Sequence, residues 1–593
     1  MLPVMKNEIK YENKNIKAFN GINVREDYAS GDICEEINMS SQMYPSLCTR
    51  APRKIREITD GTITGISSCE GLVYTLSDSS GRVFLNYKNK SYEFTSLTSS
   101  APDVRRDFAS LSDSILIIPD NVIFIPSTGK FRPVCISQYG DINTAKAKYI
   151  SENNGEAPVN SEFTYIGEVK HNALRCRIKT VANKYNFYYF AFDSNLKSGD
   201  VVTLKLEVAT DDVDDQAEYY QYRKKMSAGT EVKIKGITTL YNETNSGIKE
   251  ECVELIFDDY SLDTGGYSDV VFKSITLERK MPTLKKICSF ANRIWGITDR
   301  ELRCSRLGDA SEWNDFTSDS YGTMPYACFS SPSPTEGTFT SIVSFGNYVY
   351  AFKENVIHKV YGDNPDEFVL RTVETNGVPP EKGDTVMKCD SAVYYFSYNG
   401  IYKFDGNTSR RISYCLGSDI DFECAGGNED AYYAVGMQNN SRYVYVYDIR
   451  HKLWHRENSE NNIRMMCRVG NDICAAGDNS LIFMNGNAPE QNAAPVEWNF
   501  TLMLDDKLFE KKSFGRISVR YSLGKDAFFT ARPIYDNKTP GALCGARHDE
   551  VLDGGGYLHL PLKRCRNFRI QFKGKGFFCM KSLRMQFYSG SEI

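Results

Sequence analysis

Six histidines occur in the 593 residues, and only His451 and His455, in the string HKLWH, stand close together. On a helix this i, i+4 spacing would turn both imidazoles to one face, as a zinc site requires. The segment instead ends a run of alternating Tyr and Val, which reads as strand. There the same spacing sets the rings about 13 Å apart, too far for one ion, so no metal is expected. The string DDVDDQ at 211–216 offers hard oxygens to Ca²⁺, yet Gln216 stands where the loop needs Gly and Tyr222 where it needs Glu, so a solvated acidic turn is expected. The phosphate loop G-x-x-x-x-G-K-[ST], the elbow G-x-S-x-G and the zinc motif H-E-x-x-H are all missing from the sequence. Lys525 after Gly524, and Lys575 between Gly574 and Gly576, lack the preceding Gly spacing and read as turns. Ser77 to Phe84 (SDSSGRVF) comes nearest to a sialidase-type box but departs at its Asp and Trp positions. A carboxylate pair for glycoside hydrolysis stays open, because distant strands can bring acids together and 76 acidic side chains make chance pairs inevitable. Trp295, Trp313 and Trp454 fall in or just after strand-like segments; rings closing a core are the expectation, and a sugar-stacking platform is the alternative. No catalytic residue and no cofactor is expected.

The elements that would position these side chains are strands. Hydrophobic residues at 41% and charged residues at 25% are globular values, which exclude disorder and low-complexity classes. The excess lies in 37 Tyr and 33 Phe beside 43 Gly, a mixture that favours strands joined by tight turns. Seven segments share one grammar of apolar strand, polar turn, aromatic strand, second turn and further strand: 63–88, 108–132, 287–316, 341–370, 386–413, 431–457 and 465–486. Helical periodicity is almost absent. Units of this kind at spacings of 30–50 residues predict an all-β chain built on a β-propeller of six or seven blades, an N-terminal strand being a candidate to close the last one. Unrelated β-sandwich repeats are the alternative.

The domain boundaries follow the rhythm: 1–132 as N-terminal segment and first blades, 133–281 as an inserted β domain, 282–495 as the remaining blades and 496–593 as a C-terminal β-sandwich. Charge divides the two appendages. Residues 201–270 hold fifteen acidic and seven basic side chains, whereas 501–593 hold seventeen basic and nine acidic, so opposed surfaces could meet in a ring of identical subunits. The whole chain, at −5, gives no global nucleic-acid signal. Seventeen cysteines, an odd number with no C-x-x-C, read as free thiols of a protein assembled in a reducing cytoplasm. The N-terminus lacks the apolar core of a secretory signal, and the richest apolar stretch, Ser114 to Pro126, is broken by Pro119, Asp120 and Asn121, so no membrane-spanning segment is expected.

Three groups of strings carry a family resemblance. The first is Phe19-Asn20-Gly21-Ile22-Asn23, then Gly31-Asp32, Asn38-Met39-Ser40 and Leu47-Cys48-Thr49-Arg50. The second is Asn292-Arg293-Ile294-Trp295-Gly296, Arg303-Cys304-Ser305-Arg306 and Gly308-Asp309-Ala310-Ser311-Glu312-Trp313. The third is Tyr350-Ala351-Phe352-Lys353, Ile357-His358-Lys359-Val360-Tyr361-Gly362 and Tyr398-Asn399-Gly400-Ile401-Tyr402. In this order they resemble the tail nozzle, or packaged-DNA stabilisation, proteins of short-tailed bacteriophages; 133–281 lies outside the resemblance. It implies a propeller-based virion protein, made in the bacterial cytoplasm, that forms hexameric rings below the portal and adaptor. It also implies contacts with other tail proteins and tail fibres, retention of packaged DNA, and a channel for its ejection through weak, non-specific, transient contacts with the duplex. Lys511, Lys512, Arg516, Lys573 and Lys575 are the candidates for such contacts, with solvated faces or inter-subunit salt bridges as the alternative. The rival classes are a tail-associated propeller enzyme that degrades polysaccharide, and a receptor-binding or adhesion module using 133–281.

Overall fold

Short apolar-alternating runs between Asn, Asp and Gly turns can satisfy their backbone groups only by pairing with one another. The turn between Ala431–Gln438 and Ser441–Asp448 shows the chemistry: Asn439 and Asn440 take φ of 50° and 59°, as a tight hairpin turn demands. The computed structural model describes 12–134 and 281–589 apart from short stretches, the longest being 485–494; between 135 and 280 it describes mainly strands. The chain is all-β, with two single 3-10 turns at Gly383–Thr385 and Tyr414–Leu416 among the described residues.

Seven antiparallel sheets of four strands each make up most of it. The first holds Thr62–Cys69, Leu72–Ser79, Arg82–Tyr87 and Lys90–Thr95, and the second Asp107–Leu111, Ser114–Ile118, Val122–Ile125 and Lys130–Pro133. The third holds Lys286–Phe290, Arg293–Ile297, Glu301–Cys304 and Phe329–Pro332, and the fourth Ser341–Phe345, Tyr348–Phe352, Val356–Tyr361 and Val369–Glu374. The fifth comprises Met387–Cys389, Ala392–Ser397, Gly400–Phe404 and Ser409–Arg411; the sixth, Asp421–Gly427, Ala431–Gln438, Ser441–Asp448 and Leu453–Asn458. The seventh takes Met465–Val469, Asp472–Ala476 and Ser480–Phe483 from one end of the chain and Lys54–Glu57 from the other, in register from Ser480 opposite Glu57 to Phe483 opposite Lys54.

The sheets form a closed cycle. Leading strands pack in succession, and Met465–Val469 of the seventh returns to Thr62–Cys69 of the first. A separate apolar core fills each junction. Leu76 and Phe124 lie between the first and second sheets, Leu116 and Trp313 between the second and third, and Trp295 and Val349 between the third and fourth. Phe352 and Tyr395 follow, then Tyr394 and Tyr432, then Val435 and Ile473; Ile63 with Leu481 closes the cycle. The seven segments read from the sequence fall one on each of these sheets.

Between the second and third sheets the chain builds an eight-stranded sheet from Ser137–Asp141 to Val271–Arg279. It closes on itself, because Val271–Arg279 pairs with Val201–Val208 on one edge and with Ser137–Asp141 and Ala147–Tyr149 on the other. The acidic string at 211–216 lies outside the described residues.

Two further sheets share one core. In one, Phe578–Ser589 pairs with Glu12–Ile16, Leu47–Thr49 and Lys512–Leu523, with Met39–Ser40 and Leu552–Tyr557 at the edges. The other runs in the order Ile33–Ile37, Glu497–Met503, Phe568–Lys575, Phe528–Tyr535 and Cys544–Arg547. Ile33, Leu47, Phe500, Phe572, Phe578 and Leu583 meet between them. Residues 12–49, grouped with the first blades by the sequence boundary at 132, therefore pair with the C-terminal strands. Sequence rhythm could not show this, since the partners lie more than 450 residues apart.

Candidate functional site

The strings around 19–50 and 448–458 meet at the joint between the paired sheets and the sixth sheet. Gly21, at φ 75°, donates no side chain because a Cβ there would lie 2.4 Å from the Trp454 carbonyl. That carbonyl accepts from Ile22 N at 2.8 Å. Asp32, buried, gathers the loop by accepting from Asn20 Nδ2, Asn23 Nδ2 and Ala29 N at 3.0, 2.8 and 2.8 Å. Asn38 takes φ 62° and ties three segments: its Nδ2 donates to the Glu497 carbonyl at 2.7 Å, and its Oδ1 accepts from Arg50 Nε and Asn458 N, both at 3.0 Å.

Beside these bonds lies a cavity of about 320 Å³ lined by Ser41, Arg50, Asp448, His451, His455 and Glu457, among others. Its walls carry both signs of charge. Glu457 Oε2 accepts from Arg53 Nη2 at 2.5 Å and has Arg50 Nε at 3.9 Å. Asp448 Oδ2 accepts from Ser41 Oγ at 2.5 Å and from His451 Nδ1 at 2.8 Å, and Tyr44 stacks on the His451 ring at 4.4 Å. Burial would raise the Asp448 carboxyl, but the bonds from Ser41 and His451 outweigh it and hold it below its ordinary value. Glu36 Oε1 meets His455 Nδ1 at 2.9 Å and accepts from Arg456 N at 3.0 Å. Burial disfavours the charged imidazole, while Glu36, helped by Glu457 and Asp448, outweighs that penalty and raises the His455 pKa. His455 Nε2 and Glu36 Oε2 are buried without a hydrogen-bond partner among the described residues.

This geometry joins modules. An activating triad puts the imidazole between hydroxyl and carboxylate, whereas here the Asp448 carboxylate stands between Ser41 and His451, so the order of a Ser-His-Asp triad is not met. His455 uses one ring nitrogen on Glu36, and among the described residues no group of three His, Cys, Asp or Glu could hold a metal. Glu36, Arg53, Asp448 and Glu457 were not singled out by sequence reasoning. Their nearest signal was their place beside the strings Asn38-Met39-Ser40 and HKLWH.

A second charged group lies where the leading strands converge. Asp384, before the fifth sheet, pairs with Arg105, before the second, and with Lys286 of the third. Burial would lower the Lys286 pKa, but Asp107 and Asp384 raise it. The fifth position of the cycle is thus bridged to the neighbouring second and third across its inner side, with Ser289 Oγ to the Ser110 carbonyl at 2.5 Å as a further tie between those two.

The five basic candidates are not brought together. Lys512 and Arg516 belong to the sheet of Phe578–Ser589, with Lys511 just before their strand, and Lys573 and Lys575 to the other sheet of the pair. Lys511 is exposed; Lys512 is buried with its ammonium 5.0 Å from the Phe587 ring centre, and Arg516 lies 5.4 Å over Tyr557. Lys573 is exposed, and Lys575 pairs with Glu497 at 3.0 Å. Lys525 occupies a turn, as the sequence suggested, whereas Lys575, also read as a turn, is the last residue of the strand Phe568–Lys575, held there by pairing with Glu497 and Phe528. Trp295, Trp313 and Trp454 are at most 2% exposed, which withdraws them as a sugar-stacking platform. Thirteen cysteines, Cys48 among them, are free thiols, and burial pushes Cys48 up to about 11.

No family model and no curated protein matches the chain. Solved structures similar to it include apo AztD from Citrobacter koseri, at 10% identity over 72% of this chain and 90% of that one, with a TM-score of 0.28. An exo-β-1,3-galactanase from Phanerochaete chrysosporium, solved with galactose, is similar at 9% identity over 50% of this chain and 94% of that one, with a TM-score of 0.21. At these values neither likeness bears on function. No described helix is long and apolar enough to cross a membrane.

Proposed function

We propose that the chain is a structural protein of a bacteriophage virion, a subunit of a six-membered tail nozzle below the portal and adaptor. The seven four-stranded sheets are blades of a β-propeller, 137–279 is an inserted β domain, and the last two sheets are a β-sandwich completed by N-terminal strands. The ring retains packaged DNA, offers the channel for ejection with transient non-specific contacts, and meets other tail proteins and fibres. It is not an enzyme.

The observation that carries this reading is where the first group of resembling strings lies. Gly21, Asn38 and Arg50 clamp the sandwich to the sixth blade through buried bonds and an ion pair, and Asp32 gathers the loop that carries Gly21. A joint of this kind resists relative motion of the modules, as a part under packaging pressure must. Ion pairs from Asp384 cross the inner side of a single propeller, so passage for a duplex has to form between copies. Negative-stain images of the purified full chain test the reading. Rings with six-fold symmetry and a central opening are expected; particles of another symmetry, or a monomer that cleaves polysaccharide, would overturn it.

A further inference from the structure

The outward face of the five-stranded sheet carries three cations that make no ion pair with a described residue. Along Phe568–Lys575 the inward residues Phe568, Ile570 and Phe572 are buried, so Arg569, Gln571 and Lys573 alternate to the other face. On the neighbouring strand Arg532 stands directly opposite Gln571. It is therefore diagonal to both Arg569 and Lys573, about 7–8 Å across the pleat. Lys575 is matched by Glu497 at 3.0 Å, but Arg532, Arg569 and Lys573 make no ion pair with any described residue. The Nε atoms of Arg532 and Arg569 are buried and unbonded. Like charges so placed repel one another, and a fold keeps such a cluster at a cost unless an anionic surface covers it.

The complementary charge is in the same sequence. Residues 201–270 hold fifteen acidic and seven basic side chains, and 501–593 hold seventeen basic and nine acidic. We propose that the face of Arg532, Arg569 and Lys573 docks the acidic inserted segment of a second copy of this chain. Such a contact joins two different patches, so repetition closes a ring when the rotation allows. The inference rests on the ring reading and names the interface that builds it.

The test measures self-association of the full chain by analytical ultracentrifugation at low ionic strength and at about 1 M salt, where screening reaches about 3 Å. Wild type assembles at low salt and weakens at least tenfold at high salt. The triple variant Arg532→Glu, Arg569→Glu, Lys573→Glu stays monomeric, with its thermal transition intact. The milder Arg→Gln and Lys→Gln set at the same positions weakens association partially, which serves if the reversal disturbs folding. Adding Asp211→Lys, Asp212→Lys, Asp214→Lys and Asp215→Lys to the triple reversal restores assembly. Six-membered rings that tolerate the triple reversal overturn this interface and leave the nozzle reading standing. Salt-sensitive assemblies that respond to both reversals yet never close at six uphold the interface and overturn the nozzle. A triple reversal that assembles normally but loses duplex DNA assigns the face to nucleic acid and also overturns the inference.

Discussion

Buried between Ile33–Ile37 and Leu453–Asn458, the His455–Glu36 pair sets a direction for the pH dependence of the joint. The folded pKa of His455 is raised above its unfolded value of about 6.5, so the contribution of the pair is complete below that pH and is lost as pH climbs through the raised value. The thermal midpoint of the wild type should therefore fall as pH rises through that window. Glu36→Gln should lower stability at pH 6 by about 3–5 kcal/mol, since it leaves a buried charge unmatched, and should remove that fall. A midpoint flat across the window in the wild type would contradict the pairing. Asp448 has the opposite sign: its pKa is lowered, so its contribution is present at neutral pH and disappears as pH drops through the lowered value. Gly21→Ala tests the close approach to Trp454. A strained φ and a contact of 2.4 Å together should cost on the order of 2 kcal/mol in urea unfolding, and a neutral effect would mean the loop can move away.

At the scale of elements, Lys54–Glu57 holds the cycle shut from the far end of the chain. Replacing those four residues by glycine should speed hydrogen exchange in Ser480–Phe483 and its neighbours and leave Phe568–Lys575 protected. Equal protection throughout would show that the seventh sheet stands on three strands. Trp313→Ala, in the core between the second and third sheets, should cost about 3–5 kcal/mol in thermal unfolding and impair folding. The repeats were legible in the sequence because six of the seven four-stranded sheets, and three strands of the seventh, are made of consecutive strands with turn residues between them, as in Tyr348–Phe352 and Ala392–Ser397. The pairing of 12–49 with the C-terminal strands was not, because nothing local in Glu12–Ile16 names Phe587 as the partner of Glu12. The joint was half legible. Asn38 and His455 sat in strings already noticed, but the carboxylates Glu36, Asp448 and Glu457 become a site only when strands more than 400 residues apart meet. The five lysines and arginines offered as channel contacts followed net charge alone, and net charge does not record which sheet a strand joins.

For the whole molecule, a cycle bridged by Asp384 to Arg105 and Lys286, a buried joint and a split of charge between inserted segment and C-terminal sheets are the features on which the proposed ring subunit rests. The overall charge of −5 is what the proposed channel would need in order to let DNA go, since strong neutralisation of phosphates would hold it. Native mass spectrometry of the full-length chain tests that description most directly. The account expects a dominant species of six chains of 67.2 kDa each. A dominant trimer would favour an adhesion module, and a monomer at every concentration and ionic strength would contradict the ring on which the proposed function depends.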